Sequence, residues 1–201
     1  MKKTMLFLAV FLLTITFSVS GQKAAIDKAA PDFTLTDSKG ETHSLSDFKG
    51  KYVVLEWINY DCPFVEKHYD AGNMQKLQET YTGKDIVWLS ICSSVDGKQG
   101  NFTPEEINKR SEAHGAKFTA YLMDTDGKVG KMYAAKTTPH MYVVNPEGTL
   151  VYAGAIDDKA STDKADIKDA KNYVAAALDA AMAGKEIKEK VTKPYGCSVK
   201  Y

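Results

Sequence analysis

One cysteine, set between an apolar run and a proline, offers the most chemistry in this sequence: Asn59-Tyr60-Asp61-Cys62-Pro63-Phe64-Val65. The run before it, Tyr52 to Ile58, predicts a buried strand, and a helical pattern begins at Pro63. Cys62 therefore falls at a helix N-terminus, where backbone N–H groups lack partners and the dipole is positive. Both favour thiolate, the nucleophilic form of sulfur. Such a sulfur attacks a disulfide to give a mixed disulfide, or a peroxide to give a sulfenic acid. The adjacent Asp61 and Glu66, one helical turn on, oppose ionisation, and Lys67 is the nearby cation.

The elements that must position this sulfur follow from the rest of the chain. The sequence has 201 residues, with 26 basic and 26 acidic side chains, and Arg110 is its one arginine. Balanced charge gives no footprint for nucleic acid or an anionic membrane. Residues 1–20 read as a cleaved export leader: Lys2 and Lys3, an apolar run from Met5 to Phe17, then Ser18-Val19-Ser20. The mature chain is then periplasmic or extracellular, without stable membrane association after cleavage. Residues 21–29 read as a flexible lead-in and 30–201 as one domain with a cysteine-bearing tail.

Pro31 to Thr36 and the residues after Gly40 read as a hairpin, and Ser44 to Phe48 as a helical turn. A helix is expected from Pro63 to near Gly83, with a kink at Gly72. Ile86 to Cys92 is a second buried strand. Thr103-Pro104-Glu105-Glu106 has the capping-box spacing and opens a helix running to His114-Gly115. Short strands are expected at Phe118–Leu122, His140–Val144 and Thr149–Ala155, and a last helix from about Asp163 to Gly184. Strands alternating with helices predict an α/β fold with helices on both faces of the sheet.

Several segments resemble the redoxin group of the thioredoxin fold, which includes the alkyl hydroperoxide reductase / thiol-specific antioxidant family. They are Ala30-Pro31-Asp32-Phe33-Thr34-Leu35, Leu45-Ser46-Asp47-Phe48-Lys49-Gly50-Lys51, Cys62-Pro63 and Thr138-Pro139. Gly154-Ala155-Ile156-Asp157-Asp158 and Pro194-Tyr195-Gly196-Cys197 are similar to a peroxiredoxin-like branch of that family. The resemblance implies a thioredoxin-like fold with a central mixed sheet, Cys62 as the active thiol, and a cis-proline at Pro139 facing it. It implies no organic cofactor, and electrons arriving from a reduced thiol protein. His140 would then lie near Cys62, as acceptor of its proton or as a strand-edge histidine. The chain departs from the group at telling places. The local dithiol of thioredoxins is absent. Asn59 and Leu55 stand where peroxiredoxins place a threonine or serine and a proline, and Arg110 is the one candidate for the peroxide-holding arginine. These departures favour thiol–disulfide exchange over peroxide reduction.

Cys92 ends an apolar strand and reads as a small core hydrophobe. Cys197, in the tail, is placed to swing onto Cys62 as a resolving thiol. The alternative is a permanent Cys62–Cys197 disulfide that staples the tail of a non-catalytic binding module, worth roughly 4–5 kcal/mol in the chain-entropy model. No cysteine pair has the close spacing of a zinc site. A copper site, of the kind some thioredoxin-fold chaperones carry, would need Cys62 and Cys197 together. His43, His68 and His114 have no evident partner, and Asp157-Asp158 reads as the end of a strand.

Overall fold

The chain enters through a small hairpin, Thr34–Thr36 (β1) against Thr42–Ser44 (β2), and a 3-10 turn at Leu45–Phe48. The two apolar runs then form the centre of the sheet. Val53–Trp57 (β3) and Val87–Cys92 (β4) are buried along their whole length and pair in parallel, Val53 opposite Val87 and Trp57 opposite Ile91. Burial on both faces is why they read as near-continuous hydrophobic runs. The structure is a computed structural model that describes residues 22–201; the expected leader lies outside the described residues. Segment 22–29, expected as a flexible lead-in, is docked: Ala24 N–H donates to Met132 O, and Lys28 O accepts from Leu150 N–H.

Between β3 and β4 lie Pro63–Asp70 (α1) and Asn73–Thr82 (α2). The expected single helix is two, because Gly72 adopts φ +70°, a left-handed conformation that glycine takes without steric cost. Gln75 Nε2 caps the break by donating to Tyr69 O at 2.7 Å. After β4 come Pro104–Ala113 (α3), Ala120–Met123 (β5), Lys128–Tyr133 (α4), Thr137–Thr138 (β6), His140–Val144 (β7) and Leu150–Gly154 (β8). The five-stranded sheet has the order β5-β4-β3-β7-β8, with β7 antiparallel to β3 and β8 antiparallel to β7. Strand alternation divides the core. Val54 and Ile58 face a cluster with Val65, Leu77, Val174 and Leu178; Val53, Leu55 and Trp57 face Phe33, Val129, Tyr133 and Tyr142. Helices thus cover both faces, as expected.

The last helix is shorter than the sequence predicts. Lys164–Asp169 is an exposed 3-10 stretch, and Tyr173–Met182 (α5) begins only after Asn172, whose side chain accepts from Ala175 N–H at 2.8 Å. The charged run before Asn172 offers no apolar stripe to bury, so the cap decides the start. The tail then runs back across the molecule as Cys197–Ser198 (β9), antiparallel to β6 with Cys197 opposite Thr138. No helix among the described residues is long and apolar enough to cross a membrane.

Candidate active site

Cys62 is the N-cap of α1 with Pro63 at the first helical position, and its carbonyl accepts from Val65 N–H and Glu66 N–H. Its side chain is fully buried. The thiol donates to the Thr138 carbonyl oxygen at 3.0 Å, and the Thr138-Pro139 peptide bond is cis. Thr138 is buried, and its hydroxyl oxygen lacks a partner. Cys197 is paired with Thr138, the residue whose carbonyl the Cys62 thiol binds, so the two sulfurs are neighbours. The fold therefore brings together Cys62, Thr138, Pro139 and Cys197, and the tail needs no swing to reach. Cys197 is partly exposed, and Pro63, next to Cys62 in the chain, is exposed. All three cysteines are free thiols. Burial first, and then the Cys62 sulfur, push the Cys197 thiol up to about 12, so this sulfur holds its proton at neutral pH.

A glycine makes the approach possible. Gly196 has φ +132°, and a Cβ there would overlap the Thr138 carbonyl oxygen. Only a residue without a side chain lets the tail backbone lie so close to β6.

The loop before Cys62 is braced on one side by the segment after β4. Asn59 Oδ1 accepts from Asp61 N–H at 2.9 Å, Asn59 Nδ2 donates to Gln99 O at 3.3 Å, and Gln99 Nε2 donates to Asp61 O at 3.1 Å. Arg110 Nη1 binds Asp61 Oδ1 at 2.7 Å, and Arg110 Nε binds Glu106 Oε1 at 2.7 Å. The guanidinium thus offsets the anion beside Cys62 and is itself engaged by two carboxylates. Glu106 is drawn to Arg110, so the helix start has the Thr103 half of the capping box, Glu106 N–H to Thr103 Oγ1. Lys67 points elsewhere, with Nζ on Lys159 O at 2.8 Å.

His140 lies on the face of β7 shared with Tyr142. Its Nδ1 meets the Tyr142 hydroxyl at 3.1 Å and accepts from Lys136 N–H. It is buried, and burial, followed by nearby Lys136, pulls its pKa down to about 3. Cys92 packs in the core with Sγ against Gly100 O at 3.3 Å, and burial raises its pKa.

Two features escape the sequence reading. Glu56, inside an apolar strand, is fully buried and accepts from Trp88 Nε1, Ser90 Oγ, Gln78 Nε2 and Tyr69 Oη. Burial raises its pKa against those hydrogen bonds. His68, without an evident partner in the sequence, is buried against Tyr195 and Asn73. Only the motif Pro194-Tyr195-Gly196-Cys197 hinted that the tail was specific. Among the described residues, one group of three potential metal ligands stands together, Asp37, Glu41 and His43 around the β1–β2 turn; it does not include the two sulfurs.

The family model described as "AhpC/TSA family" matches residues 26–153. The thiol-disulfide oxidoreductase ResA of Geobacillus kaustophilus is 33% identical over 140 residues, covering 70% of this chain and 75% of the relative. The crystal structure of an uncharacterized conserved protein from Geobacillus kaustophilus superposes with a TM-score of 0.73 at 31% identity, covering 88% of this chain and 92% of the other. The thioredoxin domain of a thiol-disulfide oxidoreductase from Bacteroides vulgatus gives a TM-score of 0.52 at 26% identity, covering 65% and 89%. The fold is thus thioredoxin-like, as the sequence resemblance implied.

Proposed function

The chain belongs to the AhpC/TSA family of thiol-based redox proteins, and from that premise we propose that it is a thiol–disulfide oxidoreductase whose working sulfurs are Cys62 and Cys197. The observation that carries this reading is the shared carbonyl: Cys62 donates to Thr138 O while Cys197 pairs with Thr138, so the two sulfurs meet. Cys62, at the positive end of α1, is the attacking sulfur. Cys197, on the strand paired with β6, resolves the mixed disulfide that Cys62 forms with a substrate. A reduced thiol protein then returns the electrons. Exchange is favoured over peroxide reduction because Arg110 is held by Asp61 and Glu106, and Asn59 by the Asp61 and Gln99 backbone. The apolar run behind Lys2 and Lys3 supports export, into a compartment where disulfides persist.

Peptide mapping of the purified, non-reduced protein tests the pair, and titration against a thiol redox buffer tests the role. A Cys62–Cys197 bond with a midpoint between about −270 and −180 mV, the thioredoxin-to-isomerase range, is the expected result. The Cys62→Ser variant should lose disulfide-reductase turnover at least about a hundredfold, with a melting temperature close to that of the reduced wild type, since the serine hydroxyl can still donate to Thr138 O.

A second reading has an observation in its favour. The tail is anchored well beyond Cys197: Val199 N–H donates to Lys136 O, Val95 N–H to Lys200 O, and Tyr201 Oη to Ala135 O at 2.8 Å. A permanently strapped tail suits a structural disulfide, and a midpoint below about −300 mV would favour it over exchange.

A further inference from the structure

Beside the two sulfurs lies a buried polar cluster that the exchange chemistry does not use. The Tyr195 hydroxyl donates to Asp157 Oδ1 and meets His68 Nε2 at 3.2 Å. Asn73 Nδ2 donates to His68 Nδ1 at 2.8 Å, so the ring proton sits on Nε2 and points at the phenol. The side chains of His68 and Asp157 are 0% and 1% exposed. Burial, then Lys67 beside it, takes the His68 pKa down to about 3, so the ring is neutral. Asp157 Oδ1 also accepts from Lys159 N–H, and Oδ2 has no partner.

What matters is which elements meet here. His68 is on α1, the helix capped by Cys62. Tyr195 stands two residues before Cys197, and its ring packs on Phe64, centroids 5.8 Å apart. Asp157 follows β8 and is fixed by its bridge to Asn172. One phenol thus ties the helix that begins at the first sulfur to the strand that carries the second.

We propose that Tyr195 is a positioning residue, whose hydroxyl, held between Asp157 and His68, keeps the Cys197 strand docked on Cys62 in the dithiol state and so sets how readily the two sulfurs close. This rests on the exchange reading above. The closure it governs is balanced as follows. The Cys62 sulfur attacks a disulfide such as oxidised glutathione, breaks its S–S bond and releases one glutathione thiol. The Cys197 sulfur then attacks the Cys62 sulfur, expels the second glutathione thiol and completes the Cys62–Cys197 bond. The two protons lost by the cysteines end on the two glutathiones. Once the bond exists it holds the strand itself, so docking by Tyr195 counts only in the reduced chain. If loss of the hydroxyl leaves the strand docked a tenth of the time, the closure constant falls tenfold.

The test is a glutathione titration of the whole mature protein, with alkylation of Cys62 measured in the reduced form. Tyr195→Phe, which keeps the ring against Phe64, should lower the closure constant about tenfold. That raises the midpoint by about 30 mV, and Cys62 should alkylate faster by a similar factor. Asp157→Asn keeps an Oδ1 acceptor and should stay within about threefold of wild type. Asp157→Ala should match Tyr195→Phe, and the double variant should be no worse than either, the signature of one shared interaction. The Asp157 pair carries the test should Tyr195→Phe fold poorly. A wild-type closure constant and alkylation rate in Tyr195→Phe, or in Asp157→Ala, overturns the assignment alone. Failure of the wild-type chain to form Cys62–Cys197 overturns the exchange reading and this inference together.

Discussion

At Gly196 a single methyl group separates the two sulfurs' shared geometry from a broken one. A Cβ there would overlap the Thr138 carbonyl, the same oxygen that accepts from the Cys62 thiol. Gly196→Ala should therefore lift β9 from β6. Formation of the Cys62–Cys197 disulfide, followed by gel shift after oxidation, should slow at least about tenfold; an unchanged rate would mean the tail tolerates the methyl. His140 supports a second prediction at this scale. It is neutral and buried in the fold, with a pKa near 3, against about 6.5 when unfolded. Between those values the unfolded chain binds the extra proton, so stability is full above pH 6.5 and declines as pH falls towards 3. His140→Asn keeps an acceptor for the Lys136 N–H and cannot titrate. Whatever its offset at pH 7.5, its unfolding free energy should fall less steeply than wild type, by up to about 1.4 kcal/mol per pH unit inside that window. Glu56 and His68 titrate in both chains and cancel in the difference. Parallel urea-unfolding curves from pH 7 to pH 4 would refute this.

The elements were legible where one signal dominated. β3 and β4 announced themselves as apolar runs, α3 by Thr103-Pro104, and the site loop by strand, cysteine and proline in succession. Where two signals competed, the boundary moved. The apolar spacing from Val65 to Tyr81 reads as one helix, but Gly72 at φ +70° makes it two. The run from Asp163 has helical residues without an apolar face, and Asn172 caps the helix later. Gly72→Ala tests the first case. Nothing lies within 4 Å of a Cβ at that position, so backbone conformation alone is at stake. The left-handed geometry should cost about 1–2 kcal/mol in urea unfolding, with the closure constant of the two sulfurs untouched. A stabilised variant would mean that α1 and α2 can merge. What no periodicity could reveal was polar pairing across the chain. Glu56 in its strand, His68 with Tyr195, and Arg110 with Asp61 are long-range partners, and sequence spacing encodes their neighbours, not their distant contacts.

On the scale of the whole molecule, the tail joins the last residues to the turn at Cys62, and a bond there closes a loop of well over a hundred residues. Removing that much freedom from the unfolded chain is worth about 5 kcal/mol in the chain-entropy model. The folded dithiol offsets part of this. It already holds the Cys62-to-Thr138 bond, and the disulfide removes that donor from a buried carbonyl at about 2 kcal/mol. The oxidised form should therefore be the more stable by about 3 kcal/mol, or about 6–12 °C in melting temperature for a domain of this size. Free energy around the cycle must close. The same pair should be harder to reduce in the folded chain than in the chain unfolded by urea, by about 60 mV at 30 mV per 1.4 kcal/mol. Urea unfolding of both forms and redox titration of both states measure the two sides independently. Equal stabilities would show that the sulfurs are not joined in the native fold. A stabilisation reaching the full 5 kcal/mol, together with a folded-state midpoint below about −300 mV, would assign the bond to holding the tail in place instead of passing electrons through it.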